Sequence, residues 1–321
     1  MNDGFRHEIP TDAKIYVSGH RGLVGSAVWR RFEAAGFTNL IGRASAELDL
    51  TDRAAVMDFF ATERPDYVVA AAAKVGGVFG NAAANADFLS ENLRMQVNLL
   101  DAAARNEVKR LAFLGSSCIY PAHAEQPITE DALLTGALEP TNFGYAIAKI
   151  TGVLQVKALR EQYGASFISL MPSNLYGPGD NFTIPGGHAL PMIMRRMHEA
   201  KAAGDETFTV YGSGEPLREY LHVDDLADAV LYCLRRYDGD THVNIGSGAD
   251  LTINELSAKI AAVVGFEGRL VNDRSKKDGV YRKLMDSGKL RALGWSPSID
   301  LDAGLKSTYE WFLDHQDDYR R

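Results

Sequence analysis

The chain has 321 residues, 46% hydrophobic and 24% charged, an ordinary balance for a soluble globular protein of one large or two moderate domains. A formal net charge of -8 with no long Lys/Arg run speaks against nucleic acid or an anionic membrane as the main partner, although a few local arginines can still hold an anionic small molecule. Two cysteines, Cys118 and Cys233, make no disulfide framework, no Cys/His cluster has zinc spacing, and no window approaches about 18 apolar residues, so a cytoplasmic, reduced, metal-free protein without a membrane span is expected.

The opening MNDGFRHEIPTDA has no apolar core and reads as a loose polar leader rather than a signal peptide. Lys14 to Ser18 (KIYVS) then reads as a strand, and VGSAVWRRFEAAG has helical periodicity up to a glycine stop. Between them Gly19-His20-Arg21-Gly22-Leu23-Val24-Gly25 spells G-x-x-G-x-x-G. Glycines so spaced let the backbone turn sharply and approach a pyrophosphate, while the helix start offers N–H groups to it. A plain tight turn is the alternative, but the flanking strand and helix favour a dinucleotide.

TNLIG (Thr38 to Gly42) is expected as the second strand. It ends in Gly42-Arg43 where an acidic residue would take the ribose 2′-OH of NAD; with Arg21 in the glycine turn, this favours NADP over NAD. Asp49 to Asp52 is expected to cap the helix TDRAAVMDFFATE, with Asp49 also placed to meet an adenine edge. DYVVAAAA (Asp66 to Ala73) is a near-continuous apolar strand, as a parallel sheet covered on both faces requires. The small residues there and the following Gly76-Gly77 would let a flat ring lie against the backbone. Asn85 to Glu107 reads as a long helix and RLAFLGSS as the fourth strand, ending in Ser116-Ser117-Cys118.

Next, NFGYAIAKITGVLQVKALREQY is helical, and it sets Tyr145 and Lys149 four residues apart on one face. Alone, that spacing fits any amphipathic helix. Beside an ammonium, however, a phenol can trade protons near neutral pH. SFISLMP follows as a strand, and the repeated strand-helix order argues for an α/β, Rossmann-type, doubly wound parallel sheet with ligands at the carboxyl ends of its strands. Beyond Pro172 the alternation breaks down. NLYGPGDNFTIPGGHALP reads as a shaped loop, and the elements after it, carrying Arg195, Arg196 and Arg218, suggest a smaller C-terminal α/β domain gripping an anion. Helices are expected over Thr252 to Val264, Asp286 to Leu293 and Leu301 to His315. Cys233 falls in register with Ala229 and Val230 and is expected in the core; His222 is expected to hold the start of the helix DDLADAVLYCLRR.

Gly19-x-x-Gly22-x-x-Gly25, Ser116 and Tyr145-x-x-x-Lys149 together resemble the extended short-chain dehydrogenase/reductase family. The blocks GHRGLVGSA, GSSCIYP, LEPTNFGYAIAK, MPSNLYGPGDNF, LREYLHVDDLADA and GWSPSIDLDAGLKSTYEWFL are similar to its branch that turns GDP-4-keto-6-deoxy-D-mannose into GDP-L-fucose. The resemblance implies an NADP-binding Rossmann domain over 14–173 plus about 222–247, and a substrate domain over about 174–221 plus 248–321. It implies a Ser116-Tyr145-Lys149 triad for reduction, with Cys118 and His188 as the base and acid of 3,5-epimerisation. It also implies that Gly19, Arg21, Gly22, Leu23, Val24, Gly25, Arg43, Asp49, Lys149, Pro172, Asn174, Leu175 and His188 line NADP(H). For a GDP-sugar it implies Arg196 and Arg218 at the phosphates, Lys283 at the nucleotide end, Tyr211 against a ring and Asn174 near the sugar, in a homodimer joined through the Asn85 and Tyr145 helices. Two departures fall near the substrate: Tyr211, where that branch often has Trp, and Ile184-Pro185-Gly186-Gly187 before His188. The competing readings are a colitose-type 5-epimerase/4-reductase and a non-catalytic NADP-binding module.

Overall fold

A computed structural model of the chain describes residues 6–76, 84–184 and 186–317. Gly77 of the expected ring-facing pair, and Pro185, lie outside the described residues. Strand and helix alternate through the first half: β1 (Ile15–Ser18), α1 (Leu23–Ala34), β2 (Leu40–Ile41), α2 (Arg53–Glu63), β3 (Tyr67–Ala70), α3 (Asn85–Arg105), β4 (Arg110–Leu114), α4 (Phe143–Tyr163) and β5 (Phe167–Pro172). The rest comprises β6 (Asn174–Tyr176), α5 (Ala189–Ala203), β7 (Thr207–Tyr211), β8 (Leu217–His222), α6 (Val223–Arg236), β9 (Val243–Ile245), β10 (Asp250–Thr252), α7 (Ile253–Val264), β11 (Arg269–Asp273), β12 (Arg282–Lys283), α8 (Gly288–Ala292) and α9 (Leu301–Asp314).

Six strands form one parallel sheet in the order β2-β1-β3-β4-β5-β9. Alternate residues of each strand point to opposite faces, so the sheet builds two cores. Ile15 and Val17 of β1 pack with Val28 and Phe32 of α1 and Leu226 and Val230 of α6. Tyr16 points the other way, into Val56 and Phe60 of α2, Leu99 of α3 and Val153 of α4. Both faces are therefore covered, as the apolar run of β3 requires. The chain order reverses between β1 and β3, the crevice where such sheets receive ligands.

A third core, built on Phe182, Met194, Leu256, Ile260 and Phe312, belongs to a smaller layer of short sheets. There β10-β8-β12 pair, with β6 alongside β8, and β11 pairs with β7. The stretch read as loop from Asn174 thus contains a strand, Asn174–Tyr176, parallel to Tyr220–His222. Its three residues are too few for a period to be visible beside the glycines and prolines that follow.

The N-terminal segment is also more ordered than its polarity implies from residue 6 onward. His7 N–H donates to the Arg235 carbonyl at 2.9 Å, its ring meets the Tyr67 hydroxyl at 2.8 Å, and Ile9 and Ala13 are buried. Two small apolar anchors suffice, although the average hydrophobicity hides them. Asp52, not Asp49, caps α2 by accepting from Ala54 and Ala55 N–H; Asp49 closes the preceding turn on Thr51. His222 Nδ1 accepts from Asp224 N–H at the start of α6, and Cys233 is fully buried in the first core. The helix expected from Asp286 starts only at Gly288, because Asp286 N–H is bonded to the Ile128 carbonyl.

Helices α3 and α4 approach closely where Tyr145 enters the structure. Gly144 N–H donates to Asn85 Oδ1 at 3.2 Å, and a Cβ at Gly144 would collide with the Asn85 carbonyl. Gly144→Ala must push the two helix ends apart, and an overpacked contact of this kind is destabilising by roughly 1–3 kcal/mol. Urea unfolding is expected to give a midpoint lowered accordingly; a variant as stable as the parent would refute the close contact.

Candidate active site

The residues expected to hold cofactor or substrate or to act on it line one cleft of about 1740 Å3, which runs from the glycine turn over the sheet edge into the smaller layer, whereas Arg195 lies outside it. Its centre is set by α4. Lys149 is 3% exposed, and its ammonium donates to the Leu114 carbonyl at the end of β4 at 2.7 Å, above the Phe113 ring. Burial lowers this lysine to about 8. Tyr145, one turn earlier, is 7% exposed and carries its ring 5.8 Å from the same ammonium. Burial pushes its phenol up, negative charge at Cys118 pushes the same way, and a hydrogen bond from Ser116 acts against them. The acidification of Tyr145 expected from its spacing to Lys149 is not seen; desolvation by burial dominates and raises the phenol. The phenol is therefore held protonated, which suits a proton donor.

Just past β4 the chain turns through a short 3-10 segment, Ser117–Ile119, and Ser116 caps it by accepting from Cys118 N–H at 3.2 Å. The same hydroxyl lies on the Tyr145 side of the cleft, where it acts to lower the phenol. The Cys118 sulfur lies 3.2 Å from Asn142 Nδ2 and 3.8 Å from Lys283 Nζ. Neither donor was apparent from sequence, because Asn142 looks like an ordinary helix-start residue and Lys283 is 165 positions away. Lys283, expected at the nucleotide end, thus also lies within reach of the Cys118 sulfur. His188, at the N-terminus of α5, has a half-exposed ring whose Nδ1 lies 3.4 Å from Asp180 Oδ1. Asp180 is 1% exposed, and its Oδ2 is buried with no hydrogen-bond partner. A buried carboxylate behind an imidazole fixes the ring's orientation.

The glycine turn fits a dinucleotide. Gly19 has φ of +71°, and a Cβ on Gly25 would strike the Gly19 carbonyl, so only glycine allows this tight approach of turn and helix. No side chain caps α1, whose N-cap is Gly22, leaving its first amides facing the cleft wall. Arg21 and Arg43 flank the turn. Arg43 is held by Glu63 Oε1 at 2.6 Å and lies over the Phe59 ring at 5.5 Å.

In the smaller layer, Arg196 stacks 4.2 Å from the Tyr211 ring centroid and 4.8 Å from Phe208, and donates to the Thr209 carbonyl. Tyr211 is 51% exposed, leaving surface for a second ring. Arg218, lowered by burial, sits beside Lys283, the two in register on neighbouring strands β8 and β12. Asn174 donates to the Glu219 carbonyl at 2.7 Å. Asp278, also on the cleft wall, was missed in the sequence. It binds both the N–H and the hydroxyl of Ser213, and its only linear signal is an unremarked Lys-Lys-Asp-Gly turn.

Comparison with known proteins agrees with this geometry. The pattern of the NAD dependent epimerase/dehydratase family matches residues 15–246. GDP-L-fucose synthase 1 of Arabidopsis thaliana is 57% identical over 301 residues, covering 94% of this chain and 93% of the relative. GDP-L-fucose synthase of Escherichia coli strain K12 is 48% identical over 316 residues, covering 96% and 98%. A GDP-L-fucose synthetase from Naegleria fowleri bound to NADP superposes with a TM-score of 0.92 at 31% identity, covering 99% of this chain and 98% of that one. The chain belongs to the NAD dependent epimerase/dehydratase family, in its GDP-L-fucose synthase branch.

Proposed function

We propose that this enzyme converts GDP-4-keto-6-deoxy-D-mannose to GDP-L-fucose, by epimerisation at C3 and C5 followed by reduction at C4. The observation that carries the reading is the convergence of Ser116, Cys118, Tyr145, Lys149 and His188 on one cleft, with the Ser116 hydroxyl accepting the Cys118 amide and close enough to the Tyr145 phenol to lower it. The C4 ketone makes both neighbouring carbons acidic, and each enolate carries its charge on the C4 oxygen. Reduction puts charge on that same oxygen. Fixed donors at one point can therefore serve both half-reactions. In this reading Ser116 and Tyr145 bind that oxygen, and Tyr145 protonates the alkoxide. Cys118 removes a proton from one face of the sugar, and His188, oriented by Asp180, delivers one to the other.

The glycine turn and the amides of α1 hold the pyrophosphate of a nicotinamide dinucleotide. When bound, that cofactor supplies the hydride. The NADP form is assigned because Arg43 stands where an acidic ribose ligand would be, and Glu63 with Phe59 keeps its guanidinium oriented beside Arg21. Asp49, Pro172, Asn174 and Leu175 complete the cofactor wall. We assign 14–173 with about 222–247 to cofactor binding and about 174–221 with 248–321 to the GDP-sugar, gripped by Arg196 and Arg218 with Tyr211 against a ring.

A homodimer through α3 and α4 completes the reading. Phe143, Ile147 and Leu154, spaced four and seven residues apart on α4, are 47%, 38% and 44% exposed, an apolar stripe that water disfavours. No helix among the described residues is long and apolar enough to cross a membrane.

Three outcomes are expected. With GDP-4-keto-6-deoxy-D-mannose and NADPH in D2O, the product should carry deuterium at C3 and C5, and Tyr145→Phe should lower NADPH oxidation about 10²–10⁴-fold. Absence of turnover would sink the function; label at C5 alone would convert it to the colitose-type reaction. Because burial sets Lys149 near 8, turnover should decline as pH rises through about 8 and the ammonium is lost. Lys149→Arg, charged throughout, should move that limb to higher pH, and an unmoved limb would exclude Lys149 as its origin. Sedimentation should give a dimer for the parent and a monomer for the Ile147→Asp, Leu154→Glu double variant; a parent already monomeric rejects the interface.

A further inference from the structure

We propose that Lys283 is a positioning residue for proton abstraction: its ammonium, with the Asn142 amide, stabilises the Cys118 sulfur as the thiolate that removes a proton from the sugar. The inference rests on the reading of Cys118 as the epimerisation base. A neutral thiol is a weak acceptor, yet the Cys118 sulfur is approached by two N–H donors from separate parts of the chain, Asn142 Nδ2 at 3.2 Å and Lys283 Nζ at 3.8 Å. Two donors converging on sulfur match S⁻ better than S–H. Both contacts are part-buried, so the donors and the sulfur are not fully surrounded by solvent.

The placement of Lys283 is built into the fold. On one side β12 pairs with β8. On the other, Leu284 N–H donates to Gln126 Oε1 at 2.8 Å, Ile128 N–H donates to the Leu284 carbonyl at 2.8 Å, and Asp286 N–H donates to the Ile128 carbonyl at 2.8 Å. Lys283 is thus fastened to the loop that leaves Cys118, and lysine and cysteine are fixed relative to each other through a few residues of backbone. Asn142 stands at the start of α4, three residues before Tyr145, so the second donor belongs to the catalytic helix.

The chemistry balances without another reactant. The C–H bond breaks, its electron pair moves through the new enolate to the C4 oxygen, and the proton passes to sulfur. Negative charge leaves Cys118 as it reaches the oxygen held by Ser116 and Tyr145. Lys283 keeps the sulfur anionic before this step, and its backbone register with Arg218 puts a second cation on the neighbouring strand.

Cys118 is partly exposed and Cys233 is fully buried, so iodoacetamide modification followed by peptide mass analysis reads Cys118 in the free enzyme. Lys283→Gln is expected to slow that modification about tenfold or more at neutral pH, with Asn142→Ala acting in the same direction and Lys283→Arg restoring most of the rate. In D2O, Lys283→Gln should lose sugar deuteration by a larger factor than it loses NADP-dependent oxidation of GDP-L-fucose, and the alkaline rise of deuteration should move to higher pH. Modification at the parental rate in Lys283→Gln, with deuteration and oxidation falling equally, would overturn the proposal and make Lys283 a phosphate ligand. Full deuteration by Cys118→Ser would instead overturn the underlying assignment of the base.

Discussion

The hydrogen bond from Lys149 to the Leu114 carbonyl is the constraint on which the site depends. A lysine buried in an apolar setting needs a partner, since an unpaired ammonium would pull water inward or lose its proton. The last carbonyl of β4 supplies that partner, at the point where the parallel ladder ends. The bond fixes the register of α4 over the strand, and everything downstream follows from that register. Tyr145 lies one turn before Lys149 and so falls beside Ser116, the second residue after Leu114. Asn142 lies a turn earlier still and reaches Cys118. A helix slipped by one residue would rotate about 100° and take all three contacts with it.

The smaller layer is positioned against this centre by polar groups that are hard to satisfy any other way. Glu219 is fully buried, and burial raises its carboxyl, while Gly248 and Met285 N–H groups donate to it. Asn244, also buried, spans Ile128 and Asp286 through its amide and meets Tyr120 through its oxygen. Each group joins a segment of the parallel sheet, or of the loop after Cys118, to the strands that carry Arg218 and Lys283. Buried polar networks are stabilising only when fully paired, so the relative placement of the two halves is specified sharply. The cleft is the space these bonds hold open.

Much of this was legible in the sequence because it depends on local spacing. The glycine turn, the strand before it and the helix after it lie in one continuous stretch, Ile15 to Ala34, where glycine spacing and period identify them. Tyr145 and Lys149 are neighbours by helical geometry, and Ser116 and Cys118 are neighbours by chain. Other features were not legible because they are products of folding over distance. Lys283 reaches Cys118 only after β12 pairs with β8, and Asp180 stands behind His188 only because the intervening turn doubles back. The strand Asn174–Tyr176 exists through its partner rather than through its own composition. The direction of the Tyr145 shift was hidden too, since spacing reports the nearby ammonium but not the loss of water around the phenol.

That shift bears on how one oxygen can serve two reactions. A donor that must stabilise an enolate twice and then protonate an alkoxide has to keep its proton through the first events and release it in the last. Burial is the larger cause that raises the Tyr145 phenol and it acts whatever the state of the sulfur, so the phenol favours donating a hydrogen bond over losing its proton. Lys149, paired and buried one turn away, remains to receive the phenolate charge. In the proposed reading, burial keeps the proton on the phenol against the weakly basic enolate until the strongly basic alkoxide takes it, and the Lys149 ammonium compensates the phenolate left behind.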